Sequence, residues 1–446
     1  MSKSARNVAL DTLQQWQKSG GFLDVIFERL LKQEKLDSRD SAFVQKITSG
    51  VLQHRALLDF YIGQYSSVPL AKMERRVLDI LRLSAYQILF LDKIPHSAAV
   101  DEGVRLTKAH NPKAAGLVNA VLRRISEHKA HLPQIPDGDK LFYLSTKYSH
   151  PEWLVARLIS HLGETQTEAL LAANNTEPPI FLQVNTLKTD SETLIRMLEA
   201  EGIAVQSHPN LDDCLLLTHA GNITKIEAFQ KGYFYIQDPA ARFAIEALDP
   251  AANSRVLDAC SAPGGKSFAA ARKMGNLGEI LASDIGKRKL SKIEEGAARL
   301  GISILETRHM DAKNLDPTEI GYFDSVIVDA PCSGLGIIRK KPEIRYKEEA
   351  EIAGLPDIQR EILKGGARCV KSGGTLLYAT CTILPEENEA VIKAFLHEHQ
   401  DFALVPFTLP NEIGTVEQGY ITLYPHIHGT DGFFMAKLQR MGNNDE

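Results

Sequence analysis

Val256-Leu257-Asp258-Ala259-Cys260-Ser261-Ala262-Pro263-Gly264-Gly265-Lys266 is the stretch whose reading decides the fold. A short apolar run ends on an acid, passes through small residues and a glycine pair, and leads into a helix from Ser267. That is the first strand–turn–helix unit of an open α/β sheet, with the turn at the carboxyl edge, where such sheets bind ligands. Working outward, short apolar strands at Arg255–Asp258, Glu279–Ser283, Phe323–Asp329 and Gly374–Ala379 alternate with helical stretches. Strands apolar on both faces and joined by helices predict a parallel, doubly wound sheet. The loop is neither GxGxxG nor GxxxxGK[ST], so a nucleoside triphosphate site is unsupported.

The ligand can be read from acids at the neighbouring strand ends. Asp284 ends the second strand, 19 residues after Gly265, where a ribose diol is held in dinucleotide folds. Asp311 follows a third strand and is placed to reach an adenine edge. Asp258 either supports the loop or holds the amino-acid end of the ligand. A ribose, an adenine and no phosphates point to S-adenosylmethionine, with Cys260, Ser261, Ala262, Pro263, Gly264, Gly265, Lys266, Asp284 and Asp311 as the cofactor-binding set.

The 446 residues are 44% apolar and 24% charged, which excludes a disordered, collagen-like or coiled-coil chain. The net charge of −5 is unevenly spread: residues 1–150 carry +7 and residues 151–446 carry −12. The basic part reads as helices, with helical spacing in Ala9, Leu10, Leu13, Trp16 and in Val77, Leu78, Ile80, Leu81, Leu83. Cap chemistry stands at Asp37-Ser38-Arg39-Asp40 and at Ser97. Breaker residues over 131–139 close this all-α module. A small α+β connector follows, with strands at 180–185, 213–218 and 233–237 and helices at 151–172 and 190–201. The expected domains are 1–135, 145–235 and 236–440. No run of about 18 apolar residues suggests a membrane span. The start lacks a secretory apolar core, and a cytoplasmic monomer is expected.

The five cysteines are odd in number, widely spaced and without a CxxC pair, so neither a disulfide framework nor a metal site is expected. Cys214 and Cys369 read as buried hydrophobes. Cys332, in Asp329-Ala330-Pro331-Cys332-Ser333-Gly334, and Cys381, in Thr380-Cys381-Thr382, both follow strands at the cofactor edge. Methyl transfer needs a thiol when the acceptor is carbon 5 of a pyrimidine. A thiolate adding to carbon 6 makes carbon 5 enamine-like, which splits one hard step into easier ones. Asp329, close to N3 and the exocyclic group, would stabilise the adduct and favour cytosine, and could also touch the cofactor. Spacing alone does not say which cysteine attacks.

These motifs, with Pro385-Glu386-Glu387-Asn388, resemble those of the Nol/Nop/Sun family of RNA 5-methylcytosine methyltransferases. Further matches are Tyr235–Ala241 and Gly429-Thr430-Asp431-Gly432-Phe433-Phe434. The resemblance implies that Cys381 is the nucleophile and that Cys332 assists breakdown of the adduct and product release. In DNA cytosine-5 enzymes the Pro-Cys cysteine attacks instead. One departure is Gln183, where the family usually has Arg. Asp40–Leu52, Leu91–Ala99 and Gly116–Arg124 resemble NusB, an RNA-binding antitermination factor. The implied architecture is an all-α NusB-like domain, a small α+β connector and an α/β Rossmann-like S-adenosylmethionine methyltransferase domain, the layout of bacterial small-subunit ribosomal RNA cytosine-5 methyltransferases. Ribosomal RNA is then the expected substrate, with no membrane or metal partner. Transfer RNA as the substrate, or a non-catalytic RNA-binding factor, are the rival readings. Arg339, Lys340, Lys341, Arg345 and Lys347 form a basic loop after Cys332 that could hold phosphates beside the target base. Lys287, Arg288, Lys289 and Lys292 read as a solvated helix face; Arg123, Arg124 and Lys129 are weaker phosphate candidates.

Overall fold

The computed structural model describes residues 4–218, 221–314, 316–410 and 413–442. By packing, the chain forms two units: Met1–Thr176 with Ile338–Lys347, and Glu177–Ile337 with Glu348–Glu446.

The first unit is helical. Helices Ala5–Ser19, Ser38–Gln53, Arg75–Phe90, His96–His110 and Ala115–Glu127 bury their apolar stripes in one core with Leu23–Glu34 and Arg55–Tyr65. Leu10, Leu13, Ile80 and Leu81 lie in that core as their spacing predicts. Asp37 caps its helix by accepting from the Asp40 N–H. Ser97 does not act as a cap: the helix starts one residue earlier, at His96, with Pro95 in the cap position and no side-chain cap bond. Helices Lys140–Tyr148 and Glu152–Ala173 pack with this unit, whereas the connector read from sequence began at 145. One buried cation is fully engaged: Arg82 forks onto both oxygens of Asp59 at 2.7 Å and reaches Asp79 at 2.9 Å. Burial pushes the Asp79 carboxyl up against the opposing pull of Arg82 and Gln17.

The basic loop belongs to this helical unit, and this corrects the phosphate-holding expectation for its arginines. Arg345 has 0% exposure. Its Nη1 donates to the carbonyls of Gln53, Tyr148 and Ser149 and to Asn175 Oδ1 at 2.9–3.2 Å. Tyr346 donates to the Leu52 carbonyl at 2.6 Å and meets Trp16 edge-on. Glu343 accepts from the Leu23 N–H, and Lys341 pairs with Asp24. Arg339 is also buried. With no exposed surface, this guanidinium is turned away from any RNA phosphate: its Nη1 serves helix-end carbonyls and the Asn175 amide oxygen, and its Nε and Nη2 have no partner among the described residues.

The second unit opens with the connector: β1 (Ile180–Val184), β2 (Val205–His208), β3 (Leu211–Leu217) and β4 (Phe234–Ile236), an antiparallel sheet in the order β2-β3-β1-β4. Helix Ser191–Ala200, capped by Asp190, presents Leu194 and Leu198 to Leu182, Val184, Leu215 and Phe234.

The larger sheet contains β5 (Arg255–Asp258), β6 (Glu279–Asp284), β7 (Leu305–His309), β8 (Phe323–Asp329) and β9 (Val370–Thr380). Two further β-strands, β10 (Phe402–Leu404) and β14 (Phe433–Arg440), complete the order β10-β14-β9-β8-β5-β6-β7, and β13 (Tyr420–Leu423) pairs with β14. A separate ribbon joins β11 (Phe407–Leu409) to β12 (Gly414–Val416). The strands from β7 to β9 are parallel as expected. The sheet as a whole is mixed, because β14 runs antiparallel to β9. The chain enters β14 from Gly429–Gly432, opposite the carboxyl end of β9 (Phe434 pairs with Thr380), so it can only run back down the sheet. Strand order reverses around β5, which makes its carboxyl end the switch point where ligands bind. Among the described residues, no helix is long and apolar enough to cross a membrane, and no cluster of His, Cys, Asp and Glu could hold a metal.

Arg345→Ala removes the side-chain donor to the Gln53 and Ser149 carbonyls and to Asn175 Oδ1, each costing about 1–3 kcal/mol unless water replaces the donor, while the Tyr148 carbonyl keeps the Asn175 amide. Both tryptophans, Trp16 and Trp153, lie in the helical unit. Tryptophan-monitored guanidinium unfolding should therefore show a loss of at least about 2 kcal/mol. A change below about 0.5 kcal/mol would mean the arginine is not holding the helix ends.

Candidate active site

The loop after β5 is shaped for close approach. Gly264 has φ 105°, a left-handed backbone that favours glycine, and it precedes helix Gly265–Lys273. Ser261 ties the loop to β6 through two bonds to the Ser283 carbonyl, 2.8 Å from its N–H and 2.9 Å from its hydroxyl. Asp284 accepts from the N–H of Gly286 at 2.7 Å and of Ala262 at 3.3 Å. Asp311 lies just beyond β7 and accepts from the Lys313 N–H at 3.0 Å. The cofactor loop, Asp284 and Asp311 thus stand at three successive strand ends of one sheet edge.

Asp258, at the end of β5, has no exposed surface. Its Oδ2 accepts from Ser267 at 2.6 Å, and its Oδ1 has no partner among the described residues. Burial pushes this carboxyl up to about 7, against the Ser267 hydrogen bond and the charge of Lys266. An unsatisfied buried acceptor beside a glycine cradle suits a ligand carrying a cation or donor groups, as S-adenosylmethionine does. The residues present therefore fit that cofactor.

Lys266 turns from the loop to Asp329 at the end of β8, with Nζ 2.6 Å from Oδ2 and 5.0 Å from the centre of the Phe433 ring. Burial pulls this ammonium down, but Asp329, and Asp258 behind it, outweigh the pull and hold it above its ordinary range. Lys266 was read from sequence only as a cofactor residue; the structure pairs it with the proposed catalytic acid.

Cys332 and Cys381 lie with their sulfurs 3.3 Å apart, both partly exposed. The hydrogen bond to Cys381 and burial push the Cys332 thiol up, with the charges of Glu387 and Asp329 adding. The Gly429–Gly432 loop closes against these turns. Gly432 donates to the Gly336 carbonyl at 2.8 Å, and Gly336 donates to the Cys381 carbonyl at 2.9 Å. A Cβ on Gly336 would overlap the Gly432 carbonyl. Cys214 and Cys369 are buried in cores, their thiols pushed up to about 12 by burial. Cys260 packs against a core cluster, and burial raises its thiol too. Gln183 is buried and bonds the Gln237 carbonyl at 3.1 Å and Cys214, so it faces no partner surface. Lys287, Arg288, Lys289 and Lys292 are solvated as expected.

The Pro385–Asn388 motif gives no sequence signal for a role of Glu387, since a surface loop of acids reads the same as a buried one. The structure shows Glu387 buried.

A glycine cradle at the switch point, strand-end acids and a thiol pair define an S-adenosylmethionine-dependent methyltransferase. Family models agree along the chain: "16S rRNA methyltransferase RsmB/F" over residues 245–439, "NusB family" over 3–127, and "Methyltr_RsmF/B-like, ferredoxin-like domain" over 150–224. The chain is 36% identical to the probable ribosomal RNA small subunit methyltransferase B of Bacillus subtilis, covering 98% of this chain and 99% of that protein. It is 32% identical to ribosomal RNA small subunit methyltransferase B of Erwinia tasmaniensis, covering 97% and 98%. The crystal structure of PH0851 superposes with a TM-score of 0.81 at 28% identity, covering 99% of this chain and all of that one. A methyltransferase homologue from Pyrococcus horikoshii gives 0.60 at 28% identity, covering 68% and 100%. The chain belongs to the RsmB/F family of methyltransferases.

The raised Asp258 carboxyl makes stability depend on pH. A folded pKa near 7 against about 3.9 unfolded means the folded state binds the extra proton between those values. Its contribution is complete below about pH 4 and is lost as pH rises through 7. Unfolding of the cofactor-free protein at a series of pH values should show this falling limb, and Asp258→Asn should flatten it. An identical slope in the variant would place the titration elsewhere.

Proposed function

We propose that this protein methylates carbon 5 of a cytidine in small-subunit (16S) ribosomal RNA through a covalent adduct between Cys381 and carbon 6 of the base. The observation that carries the reading is the pair of sulfurs 3.3 Å apart beside the Asp329–Lys266 pair, all at one sheet edge. Methylation of oxygen or amine nitrogen needs no thiol; carbon 5 of a pyrimidine does. The names of the full-length relatives support ribosomal RNA as the substrate.

The cofactor, when bound, supplies an electrophilic methyl group. Cys260–Lys266 would cradle it, with Asp284 toward the ribose and Asp311 toward the adenine. Cys381 as thiolate adds to carbon 6, which moves electron density to carbon 5. Asp329 meets the N3 and amino edge of cytosine, and Lys266 holds Asp329 in place and balances its charge. Carbon 5 takes the methyl group and gives its proton to water, the carbon 6–sulfur bond breaks, and Cys332, its thiol pushed up in pKa and kept protonated, donates to the departing Cys381 sulfur. The base must be out of its stack to reach both sulfurs. The helical domain, residues 1–135, provides the RNA grip through its net positive charge, the connector spans 145–235, and the catalytic domain spans 236–440.

Cys332→Ala is expected to accumulate a covalent RNA–protein adduct on denaturing gels, whereas Cys381→Ala forms none and transfers no methyl group. The opposite pattern would make Cys332 the nucleophile. Labelling purified ribosomal and transfer RNA separately tests the substrate: 5-methylcytosine in transfer RNA alone would sink the ribosomal assignment.

A further inference from the structure

Glu387 sits in a short turn, Pro385–Glu387, and is 2% exposed. Burying a carboxylate is costly unless donors surround it. Here the donors come from both thiol-bearing turns. Oε2 accepts from the Ser333 N–H at 2.8 Å and from Gln359 Nε2 at 2.9 Å. Oε1 accepts from the Thr382 hydroxyl at 3.1 Å, and that hydroxyl lies 2.8 Å from the Ser333 hydroxyl. Ser333 follows Cys332, and Thr382 follows Cys381. Gln359 also donates to the Pro331 carbonyl at 3.1 Å, so the peptide on each side of Cys332 is held.

The turn that carries Glu387 is itself fixed from β9. Tyr378 donates to the Glu387 carbonyl at 2.7 Å, Thr380 donates to Asn388 Oδ1 at 2.6 Å, and Asn388 Nδ2 returns to the Thr382 carbonyl at 3.1 Å. Parallel pairing of β8 with β9 brings the two strand ends side by side, Asp329 opposite Ala379. It does not set the loops beyond them. One carboxylate bridging those loops does.

We propose that Glu387 is the positioning residue of the thiol pair, joining the Cys332 and Cys381 turns so that both sulfurs face one base. The role rests on the two-thiol reading above, but the spacing it controls can be measured without RNA. A misplacement of about 1 Å at a reacting centre can cost about 10²-fold in rate. Glu387 touches neither reacting sulfur in its hydrogen bonding, so it acts on geometry; its charge also raises the Cys332 thiol, and losing that charge would by itself speed oxidation, opposite to the slowing expected from lost positioning.

The test uses the full-length protein and Glu387→Gln, which keeps the size of the side chain. Diamide takes one proton and one electron from each thiol, becoming a hydrazine, while the two sulfurs form a disulfide. The rate of Cys332–Cys381 disulfide formation, followed by mass spectrometry, reports their encounter. The variant should form it about tenfold or more slowly, and its methylation kcat should fall by about 10²-fold with both KM values nearly unchanged. S-adenosylmethionine affinity should stay at its wild-type value; the melting temperature should fall by about a few degrees, because the amide sets a donor against a donor that met the carboxylate. Thr382→Val, which removes one donor, should act in the same direction, and Thr382→Ser should retain the wild-type rate. A wild-type disulfide rate in Glu387→Gln overturns the inference whatever the RNA result. A slowed rate in a protein whose wild type makes no 5-methylcytosine sustains the positioning role and removes the function proposed above.

Discussion

The parallel register of β6, β5, β8 and β9 is the constraint on which the catalytic unit depends. Asp258 pairs with Ala282 on one side and Ile327 on the other, and Asp329 pairs with Ala379. Because parallel strands must be linked by crossovers, every strand–helix loop emerges at the same edge. That rule puts the cofactor loop, Asp284, Asp311, Asp329 and the turns of Cys332 and Cys381 on one edge. A shift of one residue in β8 would turn Asp329 to the opposite face and break its pairing with Lys266.

Polar groups buried at that edge then set the finer geometry. Lys266 links the loop after β5 to the end of β8. Glu387 links the turns after β8 and β9. The Gly432–Gly336–Cys381 chain of backbone bonds brings the entry to β14 against the same turns. Each is expensive to bury alone and stable only when its donors and acceptors are satisfied together, which favours a single arrangement. The orphan oxygen of Asp258 is the contrast: a buried acceptor left for a ligand.

The helical unit follows the same logic with a different outcome. Its apolar stripes assemble the core, and Arg82 and Arg345 are buried where their donors meet carboxylates and helix-end carbonyls. Arg345 shows why a basic run is a weak guide to a nucleic-acid surface. Side-chain charge is visible in a sequence, but exposure is not, and Arg339 and Arg345 lie in a segment that packs among helices distant in sequence. Lys287, Arg288, Lys289 and Lys292 are as basic, yet they stay in water because Leu290, Ile293 and Ala297 on the opposite face take the core.

By itself, the sequence determined the features that are local. The strand-to-loop transition at Asp258–Gly264, the acids at strand ends, the cysteines beyond β8 and β9, and the helical periodicity of the first 130 residues were all legible, because period and turn chemistry act over a few residues. Tertiary structure decided what depends on which distant groups meet. It set the antiparallel β14, because strand direction follows from where the chain re-enters the sheet. It buried Gln183, Arg345 and Glu387, and it brought Cys332 and Cys381 to 3.3 Å. Those outcomes turn on desolvation and on hydrogen bonds between residues tens to hundreds of positions apart, and no local pattern carries that information.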